Sequence, residues 1–142
     1  MNVGKPMAIA RPTGGTPVTT AKVHSLVFLA RLVARMSPAR IERTMTILAK
    51  NAKPATYGDI RQAQGSVLSI SAICAGDGCL HRSIAVAALC RLSGTFPEWK
   101  TGFQVDPFRA HAWVEAEGRA ADHGMDPARW IELITVRAGA RP

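Results

Sequence analysis

The sequence has little of what most readily marks a special class of protein. No apolar run approaches the roughly 18 residues a membrane span needs; the best, "LVFLA" at 26–30, stops at Arg31. The N-terminal stretch has no long apolar segment of the signal-peptide kind, so the expected location is cytoplasmic. Cysteine is scarce: three residues are an odd number, and a reducing compartment disfavours structural disulfides. Aromatics make up 6% of the chain with a single Tyr, which leaves little to stack on nucleic-acid bases. Acidic residues are outnumbered 18 to 10, giving a net charge of +8. The basic residues are dispersed and form no block, so nucleic acid is not the favoured partner; an acidic peptide or a partner protein suits the same field. Internal repeats are absent.

What remains is ordinary globular material, 142 residues long and 47% hydrophobic, enough for one domain with its own core. Residues 1–18 are rich in Pro and Gly and lack periodicity, which predicts a mobile arm ahead of a domain over 19–142. Thr19 or Thr20 would cap a helix with Val23, Leu26, Val27, Ala30, Val33 and Ala34 on one stripe. "SPAR" at 37–40 opens a second helix, with Ser37 as cap, Pro38 at its first position and Ile41, Met45 and Leu48 facing inward. These two form a helical lead-in over 19–52. Residues 51–55 read as a linker around Pro54, and 53–142 as the catalytic core.

"TYGD" at 56–59 matches a capping box with Asp59 in place of Glu, and starts a helix carrying Ile60, Ala63, Val67 and Ile70. That helix should end near Cys74–Gly76, where a glycine can take the left-handed position. A fourth helix, Ala- and Leu-rich and buried on most sides, runs from near Cys79 to Gly94. "WKTGFQV" (99–105) and "AHAWVEA" (110–116) alternate as strands, "EG" at 117–118 turns, and a short third strand follows. Asp126–Pro127 would cap a final helix, "ARWIELITV". Helices first and strands afterwards make an α+β order.

The chemistry concentrates at "CAGDGCLHRS", 74–83. A cysteine in the first turn of a helix lies near unpaired backbone N–H groups and the positive end of the helix dipole, and both favour thiolate. Cys79 meets that description if "GDG" is the turn before it, and the same N–H groups suit an oxyanion. His111 on a predicted strand is the candidate base. Asp122, on the strand after the "EG" turn, is the candidate third member, since a hairpin brings 111 and 122 together.

Plainer readings stand beside these. Cys74 and Cys90 read as small buried hydrophobes, and His24, His81 and His123 as solvent or shell residues. His111 could be a strand histidine with a satisfied hydrogen bond, and Asp122 could only close a turn. Zinc on Cys74, Cys79 and His81 is disfavoured, because C-x4-C is wide and no second ligand pair follows at finger spacing. The redox C-x-x-C reading fails on spacing. No metal or cofactor is expected.

"CAGDGCLHRSIAVAALCRLSG" followed by a strand with "GFQV" and then "FRAHAWVEAEGR" resembles the leader peptidases of lasso-peptide biosynthesis. The resemblance covers roughly the last 90 residues, from "PATYGD" onward, and "CLHRS" and "AHAWVE" are its strongest blocks. It implies a bacterial cysteine protease with a transglutaminase-like, papain-related fold, in which a nucleophile helix packs on a small antiparallel sheet. Cys79 then matches the nucleophile and His111 the general base. The family's acid commonly falls one residue further from the histidine, where His123 stands here. Asp122 is retained because a bulge can re-aim a side chain, with Asp126 as substitute.

The short basic lead-in resembles the split form, in which a separate small protein binds the leader. The implied partners are the precursor peptide, that leader-binding recognition protein, and a lasso cyclase that uses ATP on the freed amine. Helices 20–50 are the expected docking surface. Trp99 and Trp113 would line a substrate groove or pack the core. Two other functions fit the same residues: a transglutaminase-like acyltransferase, and a non-catalytic basic adaptor whose cysteine helix is structural.

Overall fold

Helix α1 starts ahead of its expected cap: in the computed structural model, which describes residues 17–70 and 78–140, it runs Pro17–Ala34. Val23, Val27 and Ala30 of the expected stripe are buried. Helix α2, Pro38–Ala49, begins at Ser37 and Pro38 as expected and buries Ile41 and Met45. The Ser37 side chain makes no cap hydrogen bond, so the fixed φ of Pro38 does the local work there. The linker around Pro54 forms a two-residue strand β1, Lys53–Pro54, paired in parallel with β2, Thr95–Phe96.

Helix α3, Tyr57–Ile70, is opened by the capping box in full: Thr56 Oγ1 accepts from the Asp59 N–H at 3.1 Å, and Asp59 Oδ2 accepts from the Thr56 N–H at 2.8 Å. Helix α4, Cys79–Leu92, is the centre of the molecule. Ile84, Ala85, Val86 and Ala87 are consecutive and all at most 2% exposed, so packing surrounds the helix on every side. Small residues permit this, because α1, α3 and the sheet all approach it closely.

The sheet follows in the order β5-β4-β3-β6, antiparallel throughout, with β3 Glu98–Gln104, β4 Arg109–Ala116, β5 Arg119–Ala120 and β6 Ile131–Val136. Alternation turns Ala112, Val114 and Ala116 to one face of β4 and His111, Trp113 and Glu115 to the other. Trp99, Val114 and Val136 join the helices in one core. Trp99 is fully buried, and its indole N–H donates to Ser83 Oγ at 3.0 Å. Of the two readings of Trp99, core packing is the one observed.

The helix expected over "ARWIELITV" is not formed. A three-residue 3-10 turn, Pro127–Arg129, leads instead into β6, which pairs with β3. Two effects decide this. Ile131, Ile134, Thr135 and Val136 are β-branched and fit a strand, and β3 would otherwise present an open edge beside the buried Trp99. Leu133 is skipped in the pairing, since Thr101 pairs with Ile134 and Gly102 with Glu132. Asp122 is also not on β5, but two residues beyond its end. The arm 1–18, apart from its last two residues, and Cys74, Gly76 and Asp77 lie outside the described residues.

Candidate active site

Cys79 is the first residue of α4, preceded by Gly78 at a cap position with no side-chain cap. Its thiol is in hydrogen-bond contact with the His111 imidazole and with the backbone N–H of Ala112. His111 projects from β4, which is paired on one side by β3 from Arg109 to Glu115. On its other side β5 reaches only Glu115 and Ala116, which leaves the edge at 109–113 for the head of α4.

The imidazole is held from both directions. Its Nε2 lies 2.7 Å from Asp122 Oδ2, which leaves Nδ1 for the sulfur. The β-turn at Glu117 and Gly118, with φ of 55° and 75°, reverses the chain so that Asp122 returns beside His111. Asp126, the substitute acid, is elsewhere: it accepts from the Ala128 N–H at 3.1 Å and starts the 3-10 turn.

Electrostatics act on all three groups in one sense. The hydrogen bond from His111 lowers the Cys79 pKa against the opposing effect of burial, aided by the Ala112 N–H and the charges of His111 and Arg82. His111 is raised to about 9, first by its hydrogen bond to Asp122 and next by that to Cys79. Burial of Asp122 works against its charge, yet His111, Arg82 and Gln64 together hold its pKa below the ordinary value. Both shifts favour a thiolate beside an imidazolium, the pairing that suits a cysteine to nucleophilic attack.

Three further side chains, Trp130, Gln64 and Arg82, belong to the site and were not singled out in the sequence; Trp113, which was, joins them. Trp130 lies with its ring centroid 5.3 Å from that of His111, and Trp113 stacks on the imidazole from 5.9 Å at 11°. Gln64 Nε2 donates to Asp122 Oδ1 at 3.0 Å, and Arg82 Nη2 lies 3.3 Å from the same oxygen. Gln64 did carry a signal: a polar residue on the stripe of Ile60, Ala63 and Val67. So did Arg82, one helical turn from Cys79. Trp130 carried none, because the segment reads as a helix.

Behind Trp113 sits an ionic cluster. Trp113 Nε1 donates to Glu115 Oε2 at 3.1 Å, and Lys100 Nζ lies 2.7 Å from Glu115 and 2.6 Å from Glu132. Burial works against the Lys100 charge, but the two carboxylates raise its pKa above the usual lysine value. Cys90 is a buried thiol pushed up to about 12 by desolvation. His24 and His123 are exposed and His81 is half-buried. Among the described residues no group of three or more His, Cys, Asp or Glu is placed to hold a metal ion, and no helix is long and apolar enough to cross a membrane.

No curated protein and no solved structure shows a significant match to the chain. A family match does: the transglutaminase-like superfamily matches residues 23–135, a span that takes in the thiol, the imidazole and the carboxylate just described. With most of its length matched and a mixed helix and antiparallel-sheet architecture, the chain belongs to the transglutaminase-like superfamily, which includes cysteine peptidases.

Proposed function

We propose that the chain is a cysteine peptidase that removes the leader from a ribosomally synthesised lasso-peptide precursor. The observation that carries the reading is the hydrogen-bonded line of Cys79, His111 and Asp122, the last contact being 2.7 Å. The blocks "CLHRS" and "AHAWVE", which resemble those of the leader peptidases, supply the substrate class.

In this mechanism the Cys79 thiolate attacks the carbonyl carbon of the scissile bond, and the oxyanion is met by N–H groups at the head of α4. His111 donates its proton to the departing amine as the C–N bond breaks, leaving a thioester on Cys79. The now neutral His111 takes a proton from water, whose oxygen attacks the thioester; the leader carboxylate departs and the thiolate–imidazolium pair returns. The freed core amine is then the substrate of an ATP-using cyclase.

A partner that captures the leader would raise the local concentration of substrate at Cys79. The surface proposed for that leader-binding protein is the helical pair 20–50, where Phe28, Leu29 and Leu32 of α1, Met36 just beyond it and Ile47 of α2 are exposed.

Two measurements test the reading. Alkylation of the native protein near neutral pH, mapped by mass, should label Cys79 fast and leave Cys90 unlabelled, and His111→Ala should slow it. Precursor peptide mixed with this chain and the leader-binding protein should be cut at the leader–core junction, with loss of cutting in Cys79→Ala. Equal and slow labelling of all three cysteines would favour the adaptor. An amine adduct in place of the free acid would mean acyl transfer, and equal rates without the partner would remove the docking role of helices 20–50.

A further inference from the structure

Asp122 lies in a bend beyond a two-residue strand, followed by Gly124 at φ 75°. Nothing in that local backbone fixes a carboxylate. Its contacts do. Oδ2 meets His111 Nε2 at 2.7 Å, Oδ1 accepts from Gln64 Nε2 at 3.0 Å, and Arg82 Nη2 straddles the two oxygens at 3.3 and 3.4 Å. The adjoining carbonyl is held as well, since Ala121 O accepts from Arg61 Nη1 at 3.0 Å and from Gln64 Nε2 at 3.3 Å. Gln64 is 7% exposed on an otherwise apolar stripe. A carboxamide buried there is costly unless bonded, and both of its N–H groups have acceptors at this one bend.

We infer that Gln64 and Arg82 are positioning residues, which lock the Asp122 carboxylate toward His111 and tie the acid to the nucleophile helix. The inference rests on the thiol chemistry proposed above. Gln64 supplies direction without charge. Arg82, on α4 one turn after Cys79, supplies charge: it faces the sulfur as well as the carboxylate. The groups facing Asp122 are Gln64 and, through the Ala121 carbonyl, Arg61 from α3, Arg82 from α4, and His111 from β4. Those facing the thiol are His111 and Arg82.

The two roles act on the imidazole with opposite sign. Losing Gln64 frees the carboxylate to rotate, which weakens its hold on the imidazolium. Losing Arg82 removes a cation that competes with the imidazolium for the same carboxylate, which strengthens that hold. It also removes a cation that favours thiolate. A residue that merely props up the fold has no reason to split these directions.

The test uses the full chain and needs no substrate. His111 is titrated by NMR with carbon-labelled histidine, and Cys79 by its alkylation rate against pH, in wild type, Gln64→Met, Arg82→Gln and Arg82→Lys. Expected for Gln64→Met is a His111 titration moved down by on the order of one pH unit, with the acid limb of alkylation in place. Expected for Arg82→Gln is His111 moved up and the alkylation limb moved up by a similar amount, with Arg82→Lys returning both toward wild type. If cleavage is then measured, Gln64→Met should lower kcat about ten- to a hundredfold with little change in KM.

Titrations that do not move, or that move in the same direction in Gln64→Met and Arg82→Gln, overturn the inference. So does an Arg82→Lys variant that behaves as Arg82→Gln. Opposite shifts without precursor cleavage would leave the clamp standing and remove the peptidase. Cleavage without the shifts would do the reverse.

Discussion

Gly102 is a position where one added methyl group should do clear damage. It faces His111 across the β3–β4 pair and lies beside the skipped residue of β6. A Cβ there would sit 2.5 Å from the Ile131 carbonyl oxygen, 2.9 Å from Trp113 Cη2 and 3.2 Å from the Ile131 carbonyl carbon. Two of the three atoms are backbone and cannot swing away. The carbonyl would have to retreat by about 1 Å to reach an ordinary separation. In open space Gly→Ala within a strand stabilises by about 0.5–1 kcal/mol, whereas overpacking of this kind costs about 1–3 kcal/mol. The net expectation for Gly102→Ala is a loss on the order of 1–2 kcal/mol, read as a lower urea midpoint and a melting temperature lower by about 3–8 °C. Displacing β6 and Trp113 also disturbs both rings that flank His111, so alkylation of Cys79 should slow. Gly94→Ala is the control. Its φ of +83° makes the substitution strained, and nothing lies within 4 Å, so it should cost about 1 kcal/mol and leave Cys79 alkylation unchanged. A Gly102→Ala variant as stable as wild type or more so would refute the reasoning, because β6 would then not be seated as described.

The ionic cluster behind Trp113 and the imidazole itself give two more expectations. Lys100→Met strands Glu115, which is 4% exposed, and should cost about 3–5 kcal/mol, while Lys100→Met with Glu115→Gln should recover most of that loss; urea denaturation of both decides, and a single variant losing under about 1 kcal/mol would contradict it. His111 is raised from 6.5 to about 9, so its contribution is fully present below pH 6.5 and is lost as pH rises through about 9. That corresponds to on the order of 3 kcal/mol. Wild type should therefore lose its stability advantage over His111→Gln between pH 6 and 10, and parallel profiles would count against the His111–Asp122 pair.

What could be read from the chain alone was whatever depends on near neighbours. Ser37–Pro38 and the Thr56–Asp59 box start helices because the bonds and fixed dihedrals they supply span only a few residues. The strands at 98–104 and 109–116 follow from alternation, and the burial of Cys90 from its Ala- and Leu-rich surroundings. Even the pairing of Cys79 with His111 was open to proposal, since a helix-head cysteine and a strand histidine are each recognisable.

The rest was decided by contacts between distant segments. "IELITV" satisfies either period when read by itself, and the open edge of β3 made it a strand. Asp122 and Asp126 are four residues apart in sequence and are the same residue type. Where the bend after β5 carries the chain determines which one meets His111, and that bend is held by Gln64, Arg61 and Arg82 from two helices. Trp99 and Trp113 sit on adjacent strands, yet one packs under the helices and the other stacks on the imidazole, because pleating sends them to opposite faces. Local sequence determined most of the elements and the reactive types; burial, strand edges and long-range hydrogen bonds determined β6 and which of those groups meet.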